Sequence, residues 1–260
     1  MSTGSEIPYR SASRLALWLA IVHILFIVIT AHAAFATAGQ IEILDAARFG
    51  RSISVDRAEE RDQLQRIFAG VQVGLMLLAV LLFLTWVYRA NRNVRALGAV
   101  GLRYTPAWSV GFFFIPIAHL FVPYLVLKEL WQASSAQSGT TWRSTPVSPV
   151  LGAWWAVELL TGMVQYTPLP VLLGNRGLTE VAQAQLVRTI PPSDYARWPA
   201  DSLWQDSWGR LSWHIMAMTS FILTVVIVLI ITHFQERKQE TLVEGRDSGT
   251  LSAASLPHDN

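Results

Sequence analysis

Long apolar runs separated by short polar stretches dominate the chain. The first extends from Leu15 to about Ala36 and the second from Phe68 to about Tyr88. Each is long enough to cross a hydrocarbon core of about 30 Å, because an α-helix rises roughly 1.5 Å per residue. Two later runs, from Val150 to Leu173 and from Leu211 to His233, have the same character. The pattern therefore predicts an all-α membrane protein with four transmembrane helices.

A further apolar run, from Ser109 to Trp131, carries Pro116 and Pro123 with His119 between them. Proline removes a backbone donor and strains the preceding turn, and such breaks are tolerated at membrane depth only where protein or water satisfies the freed groups. We predict a Pro-broken interfacial or re-entrant helical segment here. Five full spans remain the alternative.

The distribution of basic residues sets the orientation. From Arg89 to Ser148 the chain has six basic residues and one acid, which is typical of a cytoplasmic face under the positive-inside rule. Four spans place eleven Lys and Arg inside and nine outside, whereas five spans give ten on each side. We therefore predict four spans with both termini in the cytoplasm.

The same pattern divides the chain into three parts. Residues 1–14 are predicted to form a cytoplasmic N-terminus, residues 15–233 a single multi-pass membrane domain, and residues 234–260 a disordered polar tail. The small residues Ala36 to Ala38 after the first run also leave open a signal peptide that is removed.

Composition supports lipid as the solvent. Hydrophobic residues make up 52% of the chain and charged residues 15%, which is unusual for a soluble domain of this length. The net charge of +2 comes from basic residues clustered between apolar segments, so we expect the bilayer and no nucleic acid as a partner. The absence of cysteine excludes disulfides and thiolate metal sites. The expected location is a bacterial inner membrane.

Polar groups within the apolar runs are the candidates for chemistry. Glu158 is costly at membrane depth, and Gln165 lies two helical turns away on the same face. His23, near the middle of the first run, is the candidate partner of Glu158. This set is either a helix-packing contact or a proton or cation site. His23 and His32 point to opposite sides of one helix, so no metal site is expected.

The second run ends in Trp86, Tyr88, Arg89 and Arg92, an aromatic and cationic helix end that suits headgroup anchoring. The alternative is that Arg89, Arg92 and Asn93 form a specific docking site for lipid headgroups or for the Pro-broken segment. The Pro-broken segment contributes further residues to this predicted docking surface, namely Trp108, Pro116, Pro123 and Trp131.

This central stretch resembles a bacterial integral membrane family, domain-of-unknown-function family 4328. The resemblance covers roughly residues 68–234, including the pair Trp154 and Trp155, and rests mainly on Trp86, Tyr88, Arg89, Arg92, Asn93, Pro106, Trp108, Gly111, Pro116, Leu120, Pro123, Tyr124, Glu129, Trp131, Ala133 and Ser134. His119 and Val122 depart from the family, where Asn and a basic residue are common. The resemblance implies a multi-pass membrane protein of unassigned biochemical activity.

No nucleophile elbow, phosphate-binding glycine loop or zinc-binding HExxH sequence occurs in the chain. We therefore expect no enzyme and no cofactor. The leading hypothesis is a non-catalytic scaffold or regulator of a membrane partner, either another membrane protein or a second copy of the chain. The alternative is a small proton- or ion-coupled transporter that uses Glu158.

Overall fold

The computed structural model describes residues 8–48, 56–136, 141–165 and 198–254, and every regular element within them is helical. Seven α-helices are present in this part of the chain. They are α1 (Ser13–Arg48), α2 (Asp56–Ala96), α3 (Pro106–Gly111), α4 (Pro116–His119), α5 (Val122–Ser135), α6 (Pro149–Gln165) and α7 (Trp198–Ala254). Short 3-10 turns at Phe112–Phe114 and Trp142–Ser144 complete the described elements.

Three of these helices are long and apolar enough to cross a membrane. The stretches with this property are Ser13–Gly39 in α1, Ile67–Ala96 in α2 and Ser207–Arg246 in α7. They include three of the four apolar runs predicted as spans. The fourth run begins in α6, but its residues 166–173 lie outside the described part of the chain.

The apolar run from Ser109 to Trp131 forms a series of short helices, as its prolines predict. Pro106, Pro116 and Pro123 each occupy the first turn of a helix, where the missing N–H would have no intrahelical partner anyway. Thr105 caps α3 by accepting a hydrogen bond from the Trp108 N–H at 3.3 Å. Proline therefore breaks this run by starting new helices within it.

Helix α7 continues past the last apolar run into the polar tail. It extends to Ala254, over residues for which the sequence predicts disorder. The first turn of this extension is bound to other parts of unit 1, since Gln235 is buried, Glu236 accepts hydrogen bonds from Ser11 and Ser13, and Lys238 donates to the Ala133 carbonyl. These contacts compensate for the entropy that a free polar tail would retain.

The described part of the chain divides into two compact units. The single membrane domain expected from the sequence stays a prediction. Unit 1 contains the described residues of Met1–His23, Leu77–Trp155 and Leu223–Asn260, and unit 2 those of Ile24–Met76 and Ala156–Ile222. Helices α1, α2, α6 and α7 each contribute residues to both units. Unit 1 contains the whole stretch that carries the predicted docking residues.

Unit 2 is held together by aromatic and polar contacts between helices. Phe26 stacks on Phe221 with 4.1 Å between ring centroids. The Gln72 amide donates to the Thr30 hydroxyl at 2.9 Å. Such interhelical hydrogen bonds are typical of membrane helices, where each contributes about 1 kcal/mol.

The core of unit 1 consists of apolar side chains from five helices. Fully buried members include Leu19 of α1, Val87 of α2, Leu130 of α5, Leu151 of α6 and Ile231 of α7. Helix α5 of the Pro-broken segment therefore packs against the long helices.

Candidate functional site

Gln235 is the centre of a buried polar network in unit 1. Its Nε2 donates to the Ala90 carbonyl and to the Ser134 hydroxyl, each at 3.1 Å, and its Oε1 accepts from Asn93 Nδ2 at 3.2 Å. Gln235 is 1% exposed. One side chain of α7 thus binds both α2 and α5, which fixes their relative positions.

Asn93 extends the network to the N-terminal segment. Its Nδ2 donates to the Arg10 carbonyl at 2.9 Å, and its Oδ1 accepts from the Arg10 N–H at 3.3 Å. This reciprocal pair satisfies both backbone groups of Arg10 and holds the segment against the end of α2.

Two buried tryptophans tie helices of unit 1 to α7. The indole N–H of Trp86 donates to Thr232, and that of Trp154 donates to Thr224, each at 2.9 Å. Both rings are at most 3% exposed. A buried indole needs such a partner for its N–H, so the tryptophans specify which residues of α7 face α2 and α6.

The loop between α2 and α3 is closed by Glu129. Its Oε1 accepts from the Arg103 N–H at 2.5 Å, while Arg95 of α2 donates to the Tyr104 carbonyl at 2.7 Å. Glu129 is 6% exposed, and its Oε2 has no hydrogen-bond partner among the described residues. Burial raises the pKa of this carboxyl, and the backbone N–H groups of Arg103 and Tyr104 oppose the rise.

Glycine is required in this loop. Gly98 and Gly101 have φ angles of 85° and 72°, a region that residues with a Cβ adopt only at a cost of about 1–2 kcal/mol. The Arg143 guanidinium donates to the Gly101 carbonyl at 2.6 Å. The left-handed turns let the chain reverse after α2 and meet α5.

A recess of about 250 Å³ opens at the end of α2. Arg89, Arg92, Tyr88 and Thr85 of α2 line one side of it, and Arg10 lines the other. Pro8 and the buried Asn93 complete the lining, which includes three arginines and no acid among the described residues. Arg89 also donates to the Ser11 carbonyl at 3.2 Å. The recess is therefore a small basic site near the C-terminal end of the stretch of α2 that is able to span a membrane.

The Pro-broken segment presents a second surface with a different character. Phe114, Ile117 and Phe121 are between 64% and 78% exposed, although Phe112 and Val122 pack against the core of unit 1. His119 stays close to the backbone, because its Nδ1 lies 3.0 Å from the Phe113 carbonyl oxygen. This apolar surface lies outside the three stretches able to span a membrane.

The predicted docking residues separate into buried and accessible groups. Trp86, Pro123 and Trp131 are buried and position other groups. Asn93 is buried as well, but it forms part of the lining of the recess. The accessible or half-buried residues are Tyr88, Arg89 and Arg92 in the recess, and Trp108 and Pro116 on the short helices.

The predicted intramembrane polar residues have partners within their own units. Glu158 accepts a hydrogen bond from Ser220 at 2.5 Å in unit 2. His23 Nδ1 lies 2.8 Å from the Leu19 carbonyl oxygen in unit 1. The side chain of Gln165 lies outside the described part of the structure. The pairing of His23 with Glu158 stays a prediction.

Sequence reasoning missed Gln235, Thr232 and Arg10. A signal for the first two exists, because Thr224, Val228, Thr232 and Gln235 repeat at three- and four-residue spacing and are all buried. This polar and apolar stripe predicts one packed face that continues past the apolar run. No comparable signal marks Arg10, which reaches the site only because the chain folds back on α2.

The fold and these contacts define the class of protein. The described part of the chain is helical throughout its regular elements, and three of its helices are long and apolar enough to span a membrane. Residues 50–236 match the family described as Domain of unknown function (DUF4328), so the chain belongs to that family. The match confirms the resemblance seen in the sequence and begins somewhat earlier in the chain. No curated protein and no solved structure matches.

Proposed function

We propose that this protein is a non-catalytic, multi-pass protein of a bacterial inner membrane that scaffolds or regulates a membrane partner. In this proposal four helices cross the membrane, both termini are cytoplasmic, and unit 1 is the docking platform. The partner is another membrane protein or a second copy of this chain.

The observation that carries the proposal is the exposed apolar surface of Phe114, Ile117 and Phe121 on a firmly packed unit. Large apolar side chains grouped on an accessible surface favour contact with a protein or with lipid. Here the stretch that carries the surface is held at both ends, because Phe112 and Val122 pack against the core of unit 1. A preorganised surface loses less entropy on binding than a flexible one does.

Photocrosslinking in living cells tests the proposal. A photoreactive phenylalanine analogue replaces Ile117, which is 78% exposed in α4, or Leu81, which is 63% exposed in the spanning stretch of α2. We expect a discrete protein adduct from position 117 and none from position 81, because only the first surface faces the partner.

The control position distinguishes docking from general membrane exposure. A homodimer adduct at position 117 identifies the partner as a second copy. Lipid adducts alone at position 117, or the same protein adducts at both positions, would contradict the docking role.

A proton- or ion-coupled transporter is the second candidate, supported by the 2.5 Å hydrogen bond between Ser220 and Glu158. A carboxyl with a hydroxyl partner in an apolar helix can hold a proton or a cation. In liposomes, Glu158→Gln then abolishes proton-coupled flux, while Thr219→Ala, a change at an exposed neighbour of Ser220 in α7, leaves it unchanged. Equal flux in wild-type and Glu158→Gln protein would exclude this candidate.

A further inference from the structure

The recess at the end of α2 continues an exposed apolar stripe of the same helix. Leu78 and Leu81 are 44% and 63% exposed, and they precede Thr85, Tyr88 and Arg92 at spacings of three and four residues. Residues with this spacing lie on one face of a helix. A lipid chain that follows the leucines would therefore bring its headgroup to the arginines.

The chemistry of the recess suits a phosphate. Arg89 and Arg92 are half-buried and Arg10 is exposed, and the Arg89 contact to Ser11 uses one of the five N–H donors of a guanidinium. Guanidinium groups bind phosphate oxygens through paired hydrogen bonds, and partial burial strengthens the attraction. The Tyr88 ring is 41% exposed and is amphipathic, as side chains at headgroup depth commonly are.

Asn93 fixes the position of Arg10 at the recess. It binds both backbone groups of Arg10 and is itself held by Gln235. The nearest acid that the hydrogen bonds place at this end of unit 1 is Glu236, and its Oε1 is engaged by the hydroxyls of Ser11 and Ser13. The site is thus preformed, and the adjacent carboxylate is bound to hydroxyl groups.

We infer that this recess is a specific binding site for the phosphate headgroup of an anionic phospholipid. Its volume, about 250 Å³, is below the roughly 300–1,000 Å³ of pockets that enclose whole drug-sized ligands, so it takes the headgroup while the acyl chains lie along Leu78 and Leu81. The inference goes beyond the docking role proposed above and does not depend on it.

Binding of short-chain phosphatidylglycerol to the purified full-length protein in detergent, measured by native mass spectrometry, tests the site. Phosphatidylglycerol should bind more tightly than phosphatidylcholine. Each surface arginine contributes about fivefold to the binding of an anionic lipid, so R89Q/R92Q should weaken phosphatidylglycerol binding by roughly 25-fold. R89K/R92K keeps the charge and should recover part of the loss.

The matched control is R14Q/R237Q, which removes two exposed arginines that do not line the recess. It should leave the affinity within about twofold of wild type. Should R89Q/R92Q fail to fold, R10Q alters only an exposed side chain and should weaken binding about fivefold.

Three results would overturn the inference. The first is equal binding of phosphatidylglycerol and phosphatidylcholine, and the second is an equal loss in R14Q/R237Q and R89Q/R92Q. The third is displacement of the lipid by inorganic phosphate at equal concentration, which would make free phosphate the ligand and leave no role for the leucine stripe. None of these results bears on the crosslinking at position 117.

Discussion

Gln235 illustrates how a single residue acquires a role that its place in the sequence hides. It follows the last apolar run directly and has the appearance of the first residue of a polar tail. In the fold it is buried and binds α2 and α5 at once. Its contribution to stability is set by those partners, because a buried amide without them would be strongly unfavourable.

Replacing Gln235 by Ala should destabilise unit 1 by about 2–3 kcal/mol, since the Ser134 hydroxyl and the Asn93 amide lose a buried partner. Thermal unfolding in detergent measures the change. The control is Gln239→Ala, one turn further along α7 at a half-buried position, which should change the stability by less than about 0.5 kcal/mol. Equal losses in both variants would contradict the role of the network.

Glu129 should make stability depend on pH. Burial raises its folded-state pKa above the ordinary value of 4.5, so the fold favours the protonated carboxyl. The stabilisation it contributes is full below pH 4.5 and is lost as the pH rises through the raised pKa. Glu129→Gln keeps an acceptor for the Arg103 N–H but does not titrate.

We therefore expect the apparent Tm of the wild-type protein to fall relative to Glu129→Gln across that window. At neutral pH the variant should be at least as stable as the wild type. Scanning calorimetry of both proteins over a pH series measures this. A variant that is less stable than the wild type at neutral pH, yet equal to it in acid, would show that the ionised carboxylate stabilises the fold.

At the scale of elements, the pairing of long helices depends on buried indoles as well as on apolar area. Trp86 joins α2 to α7 through Thr232, and Trp154 joins α6 to α7 through Thr224. Lipid tails are as apolar as the helices themselves, so close packing and hydrogen bonds must select the partner.

Trp86→Phe should therefore weaken the pairing of α2 with α7. The loss of one buried hydrogen bond and part of a ring predicts a destabilisation of about 1–3 kcal/mol. Trp108→Phe is the matched control, since Trp108 is 53% exposed on α3, and it should change stability by less than about 1 kcal/mol. Urea unfolding in detergent compares the two, and a larger effect at Trp108 would contradict this account.

At the scale of the whole molecule, the number of crossings decides where the C-terminus lies. Four spans with a cytoplasmic N-terminus place Asn260 in the cytoplasm, and five place it in the periplasm. A reporter active only in the cytoplasm, fused after Asn260, should be active. A periplasmic reporter fused at the same residue is the control, and activity of that reporter would contradict the four-span proposal.

Much of the fold is predictable from this sequence because each signal is local. Apolar length identified three helices that contain stretches able to span a membrane, and Pro116 and Pro123 marked where new helices begin in the run from Ser109 to Trp131. The unusual central residues identified the family. The candidate site was predicted in part, since Arg89 and Arg92 were recognised at the helix end while Arg10 was not.

The sequence by itself determined which segments are apolar helices, where the short ones start, and where positive charge collects, because length, proline geometry and charge act within a few residues. Only the tertiary structure decided that Trp86 and Asn93 are buried supports, that Gln235 joins three elements, and that Arg10 completes the basic recess. Those roles depend on contacts between residues distant in the chain, which no local pattern encodes.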